Sequence, residues 1–238
     1  MDKIRYIFFD RDETLLYLDN SAVKRALAQI SDKTGLDFPH VLENYQAWYE
    51  ETNERIKAHW RSINTKEKEI RFWRESFDIL YMMLFDGKTC NIAQKQAMSF
   101  FYGKLLYYKL YSVFDDVFDT LESLKAMGLK MGVISDTLPM LKESLDHFGL
   151  GSYFDSFTAA ADIGVLKPSP LIFGRAVDSL DAVSEHSIYI DDRPEKMEGI
   201  EKLGIKAFLI DRLNAYPDSP DRIDSLARII DYVRTQNQ

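Results

Sequence analysis

The stretch YIFFDRDETLLYL, residues 6–18, runs an apolar segment straight into three acids, Asp10, Asp12 and Glu13. An apolar run without alternation fits a strand buried on both faces of a parallel sheet. Acids at its carboxyl end then lie where open α/β sheets hold their ligands. Three further segments repeat the pattern: KMGVI before Ser135, SIYI before Asp191, and KAFLI before Asp211. Helical patterns lie between them, and each stops at a glycine: VFDTLESLKAMG at Gly128, MLKESLDHFG at Gly149 and PEKMEGIEKLG at Gly204. This alternation predicts a doubly wound, Rossmann-like α/β core, assigned to residues 1–17 and 111–238.

Between residues 18 and 110 the alternation disappears, and long helix-like patterns rich in Lys, Glu, Gln, Met and aromatic residues predict an inserted α-helical domain. SAVKRALAQISDKTG is expected to be capped by Ser21, and FPHVLENYQAWYEETNERIKAHW spaces Val41, Leu42, Tyr45 and Trp48 near one helical face. Trp48, Trp60 and Trp73 all fall in the insert, where they are expected as bundle contacts, with pocket lining the other reading. NAYPDSPDR is expected to be the least ordered connection, leading into a final helix IDSLARIIDYV.

The formal charge of -8 argues against a broad footprint for a nucleic-acid polymer or an anionic membrane, and acids instead invite a cation. The longest apolar window, ILYMMLF, is far below the ~20 residues of a membrane helix, and the N-terminus does not read as a secretory signal. The single cysteine, Cys90, cannot form an intrachain disulfide, which fits a cytoplasmic protein. Oligomeric state is not encoded in any of these patterns.

Taken singly, each polar group has a structural reading. DRDET reads as a solvated turn or a helix cap, VISDT with Ser135 as a cap, GVLKPSP with Lys167 as a loop, and YIDDRPE with Asp191 and Asp192 as a turn. Together, in this order and with three of them at strand ends, they resemble the four motifs of the haloacid dehalogenase superfamily of phosphotransferases. The insert between the first and second motifs is similar to that family's helical cap.

The resemblance implies a Mg²⁺-dependent phosphatase acting on a small organic phosphomonoester, with sugar phosphates and nucleoside monophosphates among the candidate substrates. It assigns Asp10 as the nucleophile and Asp12 as the acid/base. Thr14, Ser135 and Lys167 would bind the phosphate. Asp10, the Asp12 backbone carbonyl and Asp192 would hold the metal, with Asp191 an outer partner or alternative ligand. Retention of Asp12 argues against dehalogenation, because dehalogenating members lack this acid. A phosphomutase, a phosphonate-cleaving member and a non-catalytic binding protein are the alternatives.

Several details stand apart from the pattern. Arg11 is expected to point away from Asp10 and Asp12 if the segment stays extended. Glu13 replaces the family's commoner glycine, and DDRPEKME lacks both the glycine before the acid and a second acid five residues later, where Met197 stands. The junctions at residues 16–20 and 109–114 are expected hinges for the cap. Arg55, Lys57, His59 and Arg61 are candidates for specificity, but a charge run on a helix reads first as a solvated face.

Overall fold

Parallel strands whose side chains are apolar on both faces need helices above and below them, and the computed structural model of the chain has that arrangement. It describes residues 3–88, 91–92, 94–96 and 110–238; Cys90 and Lys109, which bear on the disulfide and hinge expectations, lie outside these. The chain divides into two compact units, Met1–Tyr17 with Val113–Gln238, and Leu18–Ser112.

In the first unit, β1 (Tyr6–Phe9), β4 (Lys130–Ser135), β5 (Ser156–Ala159), β6 (Ser187–Asp191), β7 (Lys206–Ile210) and β8 (Arg222–Ile223) form one sheet in the order β5-β4-β1-β6-β7-β8. Every pairing is parallel. Ile7, Phe8 and Phe9 of β1 are fully buried, as are Val133 and Ile134 of β4 and Ile188 to Ile190 of β6. Successive strands run outward from β1 in both directions, which makes the carboxyl end of β1 the switch point of the sheet. Phe9 is level with Val133 on one side and Ile190 on the other, so Asp10, Ser135 and Asp191 emerge from neighbouring strands at one edge.

The helices between and after these strands are α4 (Val117–Ala126), α5 (Leu141–His147), α6 (Ala160–Ile163), α7 (Pro170–Ser179), α8 (Pro194–Glu201) and, last, α9 (Ala227–Asn237). The glycines that stop three of the sequence patterns, Gly128, Gly149 and Gly204, all take positive φ (78°, 74° and 78°). Two strands escaped the sequence reading because both are edge strands without an apolar run: β5 reads SFTA and β8 reads RI. The final helix therefore starts at Ala227, because Ile223 is spent pairing with Ile210. Nor is NAYPDSPDR loosely tied. The Asp211 carboxylate accepts the Ala215 and Tyr216 amides, each at 2.9 Å, and pairs with the Arg222 guanidinium at 2.9 Å.

The strands at which the chain passes between units are β2 (Leu16–Leu18) and β3 (Tyr111–Val113). The second unit contains α1 (Asn20–Thr34), α2 (Phe38–His59) and α3 (Lys66–Leu84). The cap of α1 is Asp19, not Ser21: its Oδ1 accepts the Ser21 and Ala22 amides at 2.8 and 3.0 Å, so the chain turns helical two residues earlier. Between α2 and α3, Trp48 stacks on Phe77 and donates its indole N–H to the Ser76 carbonyl at 2.5 Å. Trp48 and Trp73 are buried in this unit's own core, and Trp60 is half-buried with the Arg61 guanidinium over its ring. Among the described residues, no helix is long and apolar enough to cross a membrane.

Gly132 shows how closely the central strands are covered. A Cβ there would fall 2.5 Å from Ser156 Oγ and 2.9 Å from Phe8 Cδ1. Gly132→Ala is expected to cost about 1–3 kcal/mol of stability, read as a lower denaturant midpoint. An unchanged midpoint would mean that β4 and β5 have slack that this packing denies.

Candidate active site

At the carboxyl edge of the sheet, charge has been buried where the fold would otherwise exclude it. Asp10 follows β1 directly, and its amide donates to the Ile190 carbonyl at 2.8 Å, which locks it to β6. Its Oδ1 accepts a bond from Lys167 Nζ at 2.5 Å, and the same ammonium donates to Asp191 Oδ2 at 2.7 Å and to the Tyr189 hydroxyl at 3.0 Å. Tyr189 in turn donates to Asp191 Oδ2. All four side chains are buried. An ammonium has three N–H donors, and each is used here.

Asp192, half-buried, joins Asp10 and Asp191: one carboxylate oxygen from each lies within 4.8 Å of the others. Burial pushes the Asp10 carboxyl well above its ordinary value; Lys167 opposes this, while Asp191 and Asp12 add to it. Burial, reinforced by Asp191, pushes Asp192 up to about 7. For Lys167, burial pulls the ammonium down, but the Asp10 and Asp191 carboxylates outweigh it and hold the group above its ordinary value. Tyr189 is raised by burial and by the same two carboxylates, so it stays a neutral donor. Three carboxylates against one ammonium leave a negative excess. An all-oxygen donor set with that excess suits a hard divalent cation such as Mg²⁺.

Two expected phosphate-binding groups sit at the same edge. Ser135 ends β4 and is buried. Thr14 is fully buried, and its Oγ1 has no hydrogen-bond partner among the described residues, a vacancy that a buried hydroxyl seldom tolerates. The Thr14 carbonyl is fixed by the Arg212 guanidinium at 2.8 Å.

Arg11 and Asp12 differ from expectation. The chain does not stay extended after Asp10: the Leu15 and Leu16 amides fold back onto the Arg11 carbonyl at 2.9 and 3.0 Å. Arg11 therefore turns to Asp12 and grips it bidentately, Nε to Oδ1 and Nη2 to Oδ2, each at 2.9 Å, while Nη1 reaches Ser144 Oγ at 3.3 Å. The structure thus brings Asp10, Lys167, Asp191 and Asp192 together and holds the Asp12 carboxylate on Arg11 instead. The same turn sets the backbone that residue 13 must adopt. Glu13 has φ 54°, in the left-handed region that favours glycine.

Tyr189 was absent from the sequence reading, although its signal was there: it stands two residues before Asp191 on one strand, hence on the same face. In the insert, Arg55 is engaged by Ser76 Oγ and by the Phe72 ring, and Lys57 by Glu54.

A family model described as "Hydrolase: haloacid dehalogenase-like hydrolase" matches residues 4–204. Several curated relatives are called glyceraldehyde 3-phosphate phosphatase. That of Methanopyrus kandleri is 29% identical over 150 residues, 62% of this chain and 63% of its own. That of Methanocaldococcus jannaschii is 32% identical over 123 residues, 48% of this chain and 54% of its own. The chain thus spans under two thirds of the length of either. Among solved structures, a 2-haloacid dehalogenase from Pseudomonas syringae pv. Tomato DC3000 superposes with a TM-score of 0.65 at 20% identity, covering 98% of this chain and 99% of that one. At that identity the likeness speaks for the fold alone.

Glu13→Gly is expected to stabilise the protein by about 1 kcal/mol through relief of the left-handed backbone, read by thermal or chemical denaturation; a loss of stability would contradict it. For Asp192, a folded value near 7 against an ordinary 3.8 means that the folded state holds a proton the unfolded chain has released. Without a cation, this group's contribution to stability declines as pH rises from about 4 to 7, and a bound cation reverses the loss. The rise in Tm on adding Mg²⁺ is therefore expected to be larger at pH 8 than at pH 5.5. Equal rises at both would contradict a cation held by these acids.

Proposed function

The chain belongs to the haloacid dehalogenase-like hydrolases, and from that premise we propose that it hydrolyses a small organic phosphate monoester through a phospho-aspartate on Asp10. The observation that carries the reading is the buried Lys167 ammonium shared by Asp10 and Asp191, with Asp192 completing an oxygen-only donor set beside it.

In the first step an Asp10 carboxylate oxygen attacks phosphorus and the bond from phosphorus to the ester oxygen breaks. An acyl phosphate forms, and the departing alkoxide takes a proton, the role the reading gives to Asp12. In the second step Asp12 takes a proton from water, whose oxygen attacks phosphorus. The bond from phosphorus to the Asp10 oxygen breaks, so that inorganic phosphate leaves and the Asp10 carboxylate is regenerated. For this exchange Arg11 must release one of the two Asp12 oxygens that it grips. Lys167 keeps Asp10 placed and offsets the negative charge that accumulates as phosphate approaches, while Ser135 and the unpartnered Thr14 hydroxyl supply donors to its oxygens. Mg²⁺ held by Asp10 and Asp192, with Asp191 as partner or ligand, would neutralise phosphate charge and orient it for in-line displacement.

The relatives named as glyceraldehyde 3-phosphate phosphatases favour a small, flexible phosphate ester, sugar phosphates included, as the substrate. Substrate selection falls to the helical insert in this reading. Trp48 and Trp73 are committed to that unit's core, which leaves the choice to its other residues. The chain's one cysteine permits no intrachain disulfide, in keeping with a cytoplasmic enzyme.

Phosphate release from a panel of sugar phosphates, nucleoside monophosphates and other small esters tests the proposal, with Mg²⁺ or EDTA. Release from at least one ester, dependent on Mg²⁺, is expected to fall about a thousandfold or more in Asp10→Asn. No release from any ester, or release indifferent to Asp10, would overturn it.

A further inference from the structure

A lysine side chain is placed only as well as its backbone, and the backbone of Lys167 is held at both of its polar groups. Its N–H donates to Asp136 Oδ1 at 2.8 Å. Its carbonyl accepts from Lys196 Nζ at 3.2 Å, and the same Nζ donates to Asp136 Oδ2 at 2.7 Å. Asp136 follows Ser135 at the end of β4, and Lys196 lies in the first turn of α8, just beyond Asp191 and Asp192. The three residues come from three separate stretches of chain that meet only at this edge. We propose that the Asp136–Lys196 ion pair is a positioning clamp that fixes the peptide of Lys167, and through it the ammonium shared by Asp10 and Asp191.

Two features argue that this is more than a satisfied surface pair. A cation in the first turn of a helix faces the positive end of the helix dipole, so α8 carries Lys196 against its own electrostatics. Gly199, one turn further along the same face, lies so close to the loop that a Cβ there would fall 1.9 Å from the Pro168 carbonyl oxygen. The face of α8 bearing Lys196 and Gly199 is thus fitted to the Lys167–Pro168 segment. Both partners of the ion pair are about four-fifths buried, which lessens solvent screening. Reacting groups must be held within about 0.5 Å of productive geometry, and a displacement of about 1 Å costs on the order of a hundredfold in rate. The clamp is therefore a positioning device that touches no substrate.

The proposal rests on the phosphatase reading for its effect on rate, but not for its effect on Lys167 itself, and the test separates the two. Lys196→Met and Lys196→Arg are compared with the wild-type full chain in two measurements: steady-state hydrolysis of the best ester, and acylation of lysines by an N-hydroxysuccinimide ester, read residue by residue by mass spectrometry. Lys196→Met is expected to lower kcat about tenfold with KM changed less than about threefold, and to raise Lys167 labelling severalfold with the other lysines unchanged. Lys196→Arg is expected to recover most of both. Asp136→Asn, which keeps an acceptor for the Lys167 N–H but loses the charge, is expected to fall between them and serves if Lys196→Met fails to fold. Unchanged Lys167 labelling, or kcat within about twofold of an active wild type, would overturn the clamp. If the wild type releases no phosphate from any ester, the phosphatase reading fails and labelling alone decides the clamp.

Discussion

Everything at the carboxyl edge of the sheet depends on one buried ammonium. Lys167 stands between Asp10 and Asp191 with every donor engaged, and without it two carboxylates from adjacent strands would face each other away from water. Desolvation of that kind is tolerable only when opposite charge and hydrogen bonds answer it. The answer is incomplete here, because Asp192 adds a third acid, and Asp10 and Asp192 both remain raised. The residual negative charge is the physical basis for a cation at this edge, and for its opposition to any phosphate that arrives without one.

The fold explains why these groups meet at all. A parallel sheet that runs outward in both directions from β1 puts three carboxyl ends side by side, and the register sets them level to within a residue. Lys167 comes from a loop, which is less rigid than a strand. Two neighbours, Asp136 and Lys196, tie that loop to β4 and α8 and so give it the definition of the elements around it.

Much of this was legible in the sequence because it depends on local pattern. The four strands read from YIFF, KMGVI, SIYI and KAFLI are apolar on both faces, a signal strong enough to survive tertiary context. Strands β5 and β8 were not legible, since an edge strand without an apolar run owes its existence to the neighbour it pairs with. Asp10, Asp191 and Asp192 at strand ends and Lys167 in a loop were legible as a set through the resemblance of their motifs, in order, to those of the family. The Arg11 grip on Asp12 was not, because it depends on a reversal of the chain at Leu15 and Leu16 that no periodicity announces. The Asp136–Lys196 pair was hidden for a related reason: its partners are sixty residues apart, in separate motifs, and nothing local pairs one with the other.

The proposed mechanism centres on Asp10 as the group that accepts the phosphoryl. The most direct measurement is to mix the enzyme and Mg²⁺ with its best ester, quench in acid within one turnover, reduce with borohydride and map the product by mass spectrometry. An aspartyl phosphate is reduced to homoserine, so the account predicts homoserine at position 10 and at no other aspartate. Phosphate release with position 10 unmodified, or homoserine at another acid, would contradict it.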